Sequence, residues 1–468
     1  MENYLDVPPC TRAPIERVSL CLLYKVRHQY ASMTSALSDD AKGYESEMDT
    51  MHLGPKAADF VWASGIEDSF IPQTRRGHRA LDEYQLMGHY KHWREDLALA
   101  KDLGVKVLRW GVPWYRVEPL PDEYDWRWTD EVLPYMVEEL GITPIIDLVH
   151  YGCPYWLRRE FANEEYHTCV SRYAAAFAER YRHLVRWYTP CNEPLVNSLL
   201  SGMQGAWPPY MKGDRGYVKM FVQLAKGIIS TVNAIKSVQP EAQMVHVEAA
   251  GICRAGHPDV EWLAEQNRLK GFLSFDLITG KITPEHPLWP WLMQSGARTR
   301  DLEWLARRPI PVDVMGLNFY PQWSTQELYL DEQGLIVSRT VEHDGSGFSS
   351  LVEDFYMRYG VPVMITETSA RDAEEDRIAW LNSSLRMIKD LRERAVPVLG
   401  YTWFPLFTMI EWNYRWERGP LERYLLDLGV YQLNTGGEGD RWRPLPIAEH
   451  LRYHIQHPQE AIGDLAIG

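Results

Sequence analysis

The stretch H-Y-K-H-W-R-E-D-L-A-L-A-K-D-L-G-V-K-V-L-R-W-G-V, residues 89–112, changes its hydrophobic period part-way along. Over 89–103 the apolar residues recur at three- and four-residue steps, with Leu97, Ala100 and Leu103 on one face, which predicts an amphipathic helix. Over 106–112 they run almost unbroken, as in a strand buried on both faces. The pair recurs outward in both directions. Short, mostly β-branched runs stand at 60–66, 106–112, 143–149, 185–191, 244–248, 312–318, 361–367 and 398–403. Helical patterns fill the gaps, among them 164–182, 217–238 and 374–394. Runs this far apart suit strand–helix units rather than hairpins, and eight of them close a (β/α)8 TIM barrel. An open doubly wound sheet would carry a glycine-rich phosphate turn after its first strand, and neither common form of that turn occurs.

The 468 residues carry 49 Lys and Arg against 64 Asp and Glu, a net charge of −15 that argues against nucleic acid or an anionic membrane as partner. With 45% apolar residues there is material for one large core. Nineteen Trp and 26 Tyr exceed the 12 Phe, a balance that suits stacking on partly polar ligands but equally suits helix-on-sheet packing. The cysteines, Cys10, Cys21, Cys153, Cys169, Cys191 and Cys253, are scattered without a C-x-x-C pair, so reduced thiols and a cytoplasmic location are expected. The apolar run at 18–24 is too short and too basic behind for a signal peptide. The run at 398–410 falls short of the ~20 residues that cross a bilayer. Residues 1–55 lack periodicity and read as an extension, partly disordered or laid over the surface, before a catalytic domain over 56–468.

Barrel enzymes place reactive groups at the C-terminal ends of their strands. Those ends offer Glu67, Arg109, His150, Asn192 with Glu193, Glu248, Asn318 with Tyr320, Glu367 and Trp403. Buried carboxylates without a task are costly. Two carboxyls facing each other across a pocket are what glycoside hydrolysis needs, one to protonate the leaving oxygen and one to attack the anomeric carbon. Strands four and seven can bring Glu193 and Glu367 face to face, and a retaining mechanism expects about 5–5.5 Å between them. Arg109 and Tyr320 are placed to keep Glu367 ionised, whereas Glu193, with no cation, can stay protonated.

The motifs carry a resemblance. F-V-W-A-S-G (60–65), R-W-G-V-P-W (109–114), V-H-Y-G-C-P-Y-W-L (149–157), T-P-C-N-E-P (189–194), G-A-W-P-P (205–209), M-G-L-N-F-Y (315–320), I-T-E-T (365–368) and Trp403…Glu411-Trp412 stand in the order of the family 1 glycoside hydrolases. The chain resembles a divergent branch of that family. The resemblance implies Glu193 as acid/base and Glu367 as nucleophile, Asn192 on the sugar 2-hydroxyl and His150 on another. It implies Arg109, Asn318 and Tyr320 around the nucleophile, Trp403 as the floor of the sugar subsite, and Glu411 on distal hydroxyls. Phe70 stands where the family has a sugar-gripping Gln, with Glu67 the expected substitute and Asp68 the second choice. His150-Tyr151-Gly152 replaces His-Trp-Asp, Glu367 is followed by Thr368-Ser369, and one residue too many precedes Glu411-Trp412.

The expected activity is a retaining exo-β-glycosidase acting on a small β-glycoside or oligosaccharide, without cofactor or metal. His89 and His92 lie three apart, but no third ligand joins them. The first strand also lacks the His-x-His pair that a metal-dependent barrel hydrolase would want. A transglycosidase sharing the same intermediate and a catalytically weak sugar-binding barrel are the alternatives. Oligomeric state stays open.

Overall fold

The computed structural model describes residues 53–371, 373–436 and 439–466, so the expectation for the extension lies almost wholly outside the described residues. Eight parallel strands close a barrel: β1 (Val61–Gly65), β2 (Val107–Gly111), β3 (Thr143–Asp147), β4 (Trp187–Thr189), β5 (Gln243–Ala249), β6 (Val314–Asn318), β7 (Val363–Thr368) and β8 (Val398–Trp403). Each pairs with its neighbours in the chain, and β8 returns to β1 through Val61↔Gly400 and Ser64↔Trp403. All eight apolar runs read from the sequence are barrel strands.

The helical patterns hold equally well. They form α1 (His89–Leu103), α2 (Tyr166–Tyr181), α3 (Gly213–Val238) and α4 (Glu374–Glu393). Leu97, Ala100 and Leu103 of α1 are fully buried, and the helix stops at Gly104, whose φ of 97° a side chain would resist. A three-stranded sheet of Ile252–Ala255, Thr325–Leu330 and Ile336–Thr340 stands outside the barrel; its alternating pattern is too short to separate from loop in the sequence. Among the described residues no helix is long and apolar enough to cross a membrane.

The period of two along each strand divides the core. Val61, Ala63, Val107, Ile145, Trp187, Val245, Val247, Val314 and Met364 pack together inside the barrel. The larger apolar layer lies between strands and helices. Following the inward positions up their strands leads from Val107 to Arg109, from Ile145 to Asp147 and from Val314 to Asn318. The polar groups at the barrel mouth therefore stand on the same rows as the apolar plug beneath them.

Candidate active site

β7 departs from strict alternation where it matters. Its pairing with β6 and β8 shifts register between Ile365 and the Glu367–Thr368 step. Such an irregularity re-aims a side chain. Thr366 points inward, its hydroxyl donating to Asn318 Oδ1 at 2.7 Å, and Glu367 also reaches the interior. Glu193 is set differently. It follows β4 with a left-handed φ of 41°, its N–H donating to Val247 O of β5, and Pro194 opens a short helix behind it.

Arg109 organises the floor. One guanidinium nitrogen donates to Glu367 Oε1 and to Thr366 O (3.3 Å). The other donates to Asp147 Oδ2 at 2.7 Å and Asn192 Oδ1 at 3.0 Å. Such a fork suits a planar cation and would not suit an ammonium. Tyr320 donates to the second oxygen of Glu367 at 2.7 Å. Arg109 thus lies beside Glu367, as expected, and makes no contact with Glu193. Asn318 does not join it there: its amide donates to Glu193 Oε1 at 2.8 Å. The expectation that Asn318 surrounds the nucleophile is corrected. The Thr366 hydroxyl holds its carbonyl oxygen, which turns its donor to the other carboxylate.

Burial pushes both carboxyls up. For Glu193 the charge of Glu367 adds to burial, and its pKa rises to about 7 despite hydrogen bonds from Tyr151 and Asn318. For Glu367 burial also raises the pKa, but Arg109 and then His150 oppose it. The asymmetry is the one a double displacement needs: a proton held near neutrality on Glu193, a cation on Glu367.

His150 follows β3 and sits in a carboxylate nest, with Nδ1 2.9 Å from Asp68 and 3.4 Å from Asp147, and Nε2 3.7 Å from Glu67. Burial lowers its pKa, and Asp68 and Asp147 more than reverse that, so it ends raised. Asn192 fixes the tautomer. Its oxygen is taken by Arg109, so its amide nitrogen faces His150 Nε2 at 3.0 Å and Tyr151 Oη at 3.1 Å. In the neutral ring, a donor aimed at Nε2 leaves the proton on Nδ1, facing Asp68. Asp68, Asp147 and His150 bring ligand-type atoms within 4.8 Å of one another. The Arg109 guanidinium already supplies positive charge to that group through Asp147.

Four further expectations shift. Trp403 is not a floor. β8 turns Gly400 toward Val61 and Met364 inside the barrel, so alternation sends Tyr401 and Trp403 outward. Tyr401 meets Ser384 of α4, and the buried Trp403 indole donates to Leu428 O at 3.1 Å. The ring facing the site is Phe404, 5.5 Å beneath the Arg109 guanidinium and so close to Gly65 that a Cβ there would stand 2.6 Å from it. Counting from Phe404 also removes the surplus residue before Glu411-Trp412. Glu411 itself is paired with Arg371 at 2.8 Å. Glu67 accepts from Ser69 N at 3.0 Å, and the nearer carboxylate to His150 is Asp68. Phe70 stacks on Tyr115 with ring centres 3.8 Å apart. Glu248 is drawn off to cap the helix after Glu193, accepting from Leu195 N at 3.1 Å.

Sequence reasoning passed over Asp147, Tyr151 and Phe404. Asp147 was signalled by a carboxylate ending an otherwise apolar run. Phe404 was hidden by a one-residue choice of strand end.

The profile described as glycosyl hydrolase family 1 matches residues 63–261, which includes Glu193. Over 399 residues the chain is 24% identical to an aryl-phospho-β-D-glucosidase of Bacillus subtilis, covering 75% of this chain and 82% of that one. It is 22% identical to β-glucosidase A of Thermotoga maritima, covering 72% and 80% of the two chains. Over residues 63–261 the chain is similar to glycosyl hydrolase family 1. The structure of the Thermotoga maritima β-glucosidase in complex with deoxynojirimycin shares the fold, with a TM-score of 0.73 at 17% identity over 87% of this chain and 99% of that one. These similarities indicate an enzyme of the O-glycosidase class.

Proposed function

We propose that the chain is a retaining exo-β-glycosidase that cleaves a small β-glycoside through a covalent glycosyl-enzyme. The observation that carries this reading is the division of partners between the two glutamates. Glu367 has Arg109 and Tyr320 on its two oxygens, and Glu193 has neutral donors only. In the first step Glu367 attacks the anomeric carbon while the Glu193 proton passes to the departing oxygen. In the second, ionised Glu193 takes a proton from water, whose oxygen displaces Glu367 and completes retention. Expected substrates are β-glucoside-like, and the names of the relatives, β-glucosidase and aryl-phospho-β-D-glucosidase among them, support that class. A cytoplasmic setting is supported by the unpaired thiols of Cys153, Cys169, Cys191 and Cys253.

The test uses paired variants. Glu367→Gly should lose turnover of aryl β-glucosides and regain it with azide, giving a glycosyl azide of inverted configuration, because a small anion can occupy the vacated space. Glu193→Ala should still form the intermediate from substrates with good leaving groups and then stall. Equal loss on good and poor leaving groups would remove Glu193 from the acid role.

A further inference from the structure

Both oxygens of Glu193 are engaged in the substrate-free protein. Asn318 holds Oε1, and the Tyr151 phenol donates to Oε2. The same phenol oxygen accepts from the Asn192 amide at 3.1 Å. A carboxyl that must hand a proton to a departing oxygen needs one oxygen free to face it. Glu193 is only 6% exposed, so the oxygen cannot be approached while both donors stay. The two donors are not equally fixed. Asn318 lies within β6, paired with Glu367 of β7 on one side and Ala249 of β5 on the other, and its oxygen is tied to Thr366. Tyr151 lies in the loop after β3, where its φ of 74° is a conformation that bulky residues rarely hold. Its ring rests edge-on against Trp412, 5.6 Å away, and tilted on Trp207, 5.0 Å away.

Resting on the assignment of Glu193 as acid/base, we propose that Tyr151 is its positioning residue: the phenol caps Oε2 in the free enzyme and gives that oxygen up to the glycosidic oxygen when substrate binds. Tyr151 stands in for a hydroxyl of the substrate, satisfying Asn192 and Glu193 until the sugar arrives. The other ionisable groups around Glu193 are Glu367 on β7, His150 beyond β3, Tyr320 beyond β6 and Glu248 on β5. Tyr151→Phe removes none of them.

The sign follows from the donor. A phenol donating to a carboxylate favours its ionised form, so removing it raises the Glu193 pKa. Glu193 must be protonated for the first step, and its ionisation sets the alkaline limb. kcat/KM reports the free enzyme and kcat the complex. Tyr151→Phe keeps the ring between the two tryptophans. On an aryl β-glucoside with a poor leaving group, where the first step limits both parameters, its kcat/KM alkaline limb should move up by about one pH unit, the order expected for one hydrogen bond to a charged group. The alkaline limb of kcat should stay in place. A carboxyl-13C titration of the substrate-free protein should show the same upward shift without any turnover, and it reads the outcome even if the variant binds sugar poorly. If neither the kcat/KM limb nor the 13C titration moves, Tyr151 does not hold Glu193. If both kinetic limbs move together, it does not yield to substrate. Either result overturns the proposal. Glu193→Ala separates this from the underlying reading: it should abolish the alkaline limb, and if the limb survives, the acid/base assignment itself fails.

Discussion

Replacing Arg109 by Met probes the charge arrangement most severely. The side chain is 2% exposed and donates to two carboxylates, a carbonyl and an amide. Methionine fills much of its volume but leaves Glu367 buried without its paired cation and Asp147 with only His150 beside it. Breaking a buried pair in this way costs about 3–5 kcal/mol. The protein can limit that cost by protonating Glu367, since burial already drives it in that direction. If about 3 kcal/mol of the loss falls on ionised Glu367, its pKa rises by roughly two units. Glu367 must be ionised to attack, so the acidic limb of kcat/KM moves upward. At a pH where about nine in ten wild-type molecules are competent, only about one in ten of the variant remains so, and kcat/KM falls about tenfold, the ratio approaching 100-fold only at lower pH. A dinitrophenyl β-glucoside, whose leaving group needs little protonation, isolates this limb from Glu193. Thermal unfolding followed in parallel should show a lower midpoint that recovers as the pH falls and Glu367 takes up its proton. An acidic limb that stays in place in a folded Arg109→Met enzyme would refute the claim that Arg109 holds the nucleophile ionised.

Two more outcomes follow from side-chain placement. Phe404→Ala removes the ring beneath Arg109 and should lower kcat/KM by at least tenfold. Trp403→Phe should chiefly lower the unfolding midpoint through the lost bond to Leu428 O, with kcat/KM within about twofold on the same aryl glucoside. Glu160 is buried, and burial raises its pKa to about 8, with the Arg415 charge opposing. A folded-state pKa above the unfolded value gives stability that is present below about pH 4.5 and lost as pH rises through 8. Glu160→Gln should therefore raise the unfolding midpoint at pH 8 and leave it nearly unchanged at pH 5, as measured by calorimetry.

The fold was legible because every barrel strand is buried on both faces. That makes each an apolar run, and α1, α2, α3 and α4 show their stripes as plainly. The site was legible where the strand period carries a charged residue up from an apolar row, as Val107 leads to Arg109. It was less legible where the strands stop being regular. Glu367 reaches the interior through a register shift that no alternation rule foresees; its place at the end of strand seven singled it out, and motif order then supported the assignment. Trp403 stands at the end of the eighth run and the resemblance implies it as the subsite floor, although the period running from Gly400 through Thr402 to Phe404 points the other way. The partners of Asn318 depend on Thr366 taking one end of its amide, a hydrogen bond between strands that a single sequence cannot display. Tyr151 stood in full view beside His150, but its left-handed backbone, which decides where its phenol goes, leaves no mark in composition.

The central claim is that Glu367 becomes covalently bonded to the sugar. Incubation with an activated 2-deoxy-2-fluoro-β-glucoside slows both steps, and a reactive leaving group lets the first outrun the second. Mass spectrometry of the intact protein should then show one added fluoroglycosyl unit, and peptide mapping should place it on Glu367. Adduct on Glu193 or another residue, or continued turnover of that reagent by direct displacement with inversion, would contradict the account.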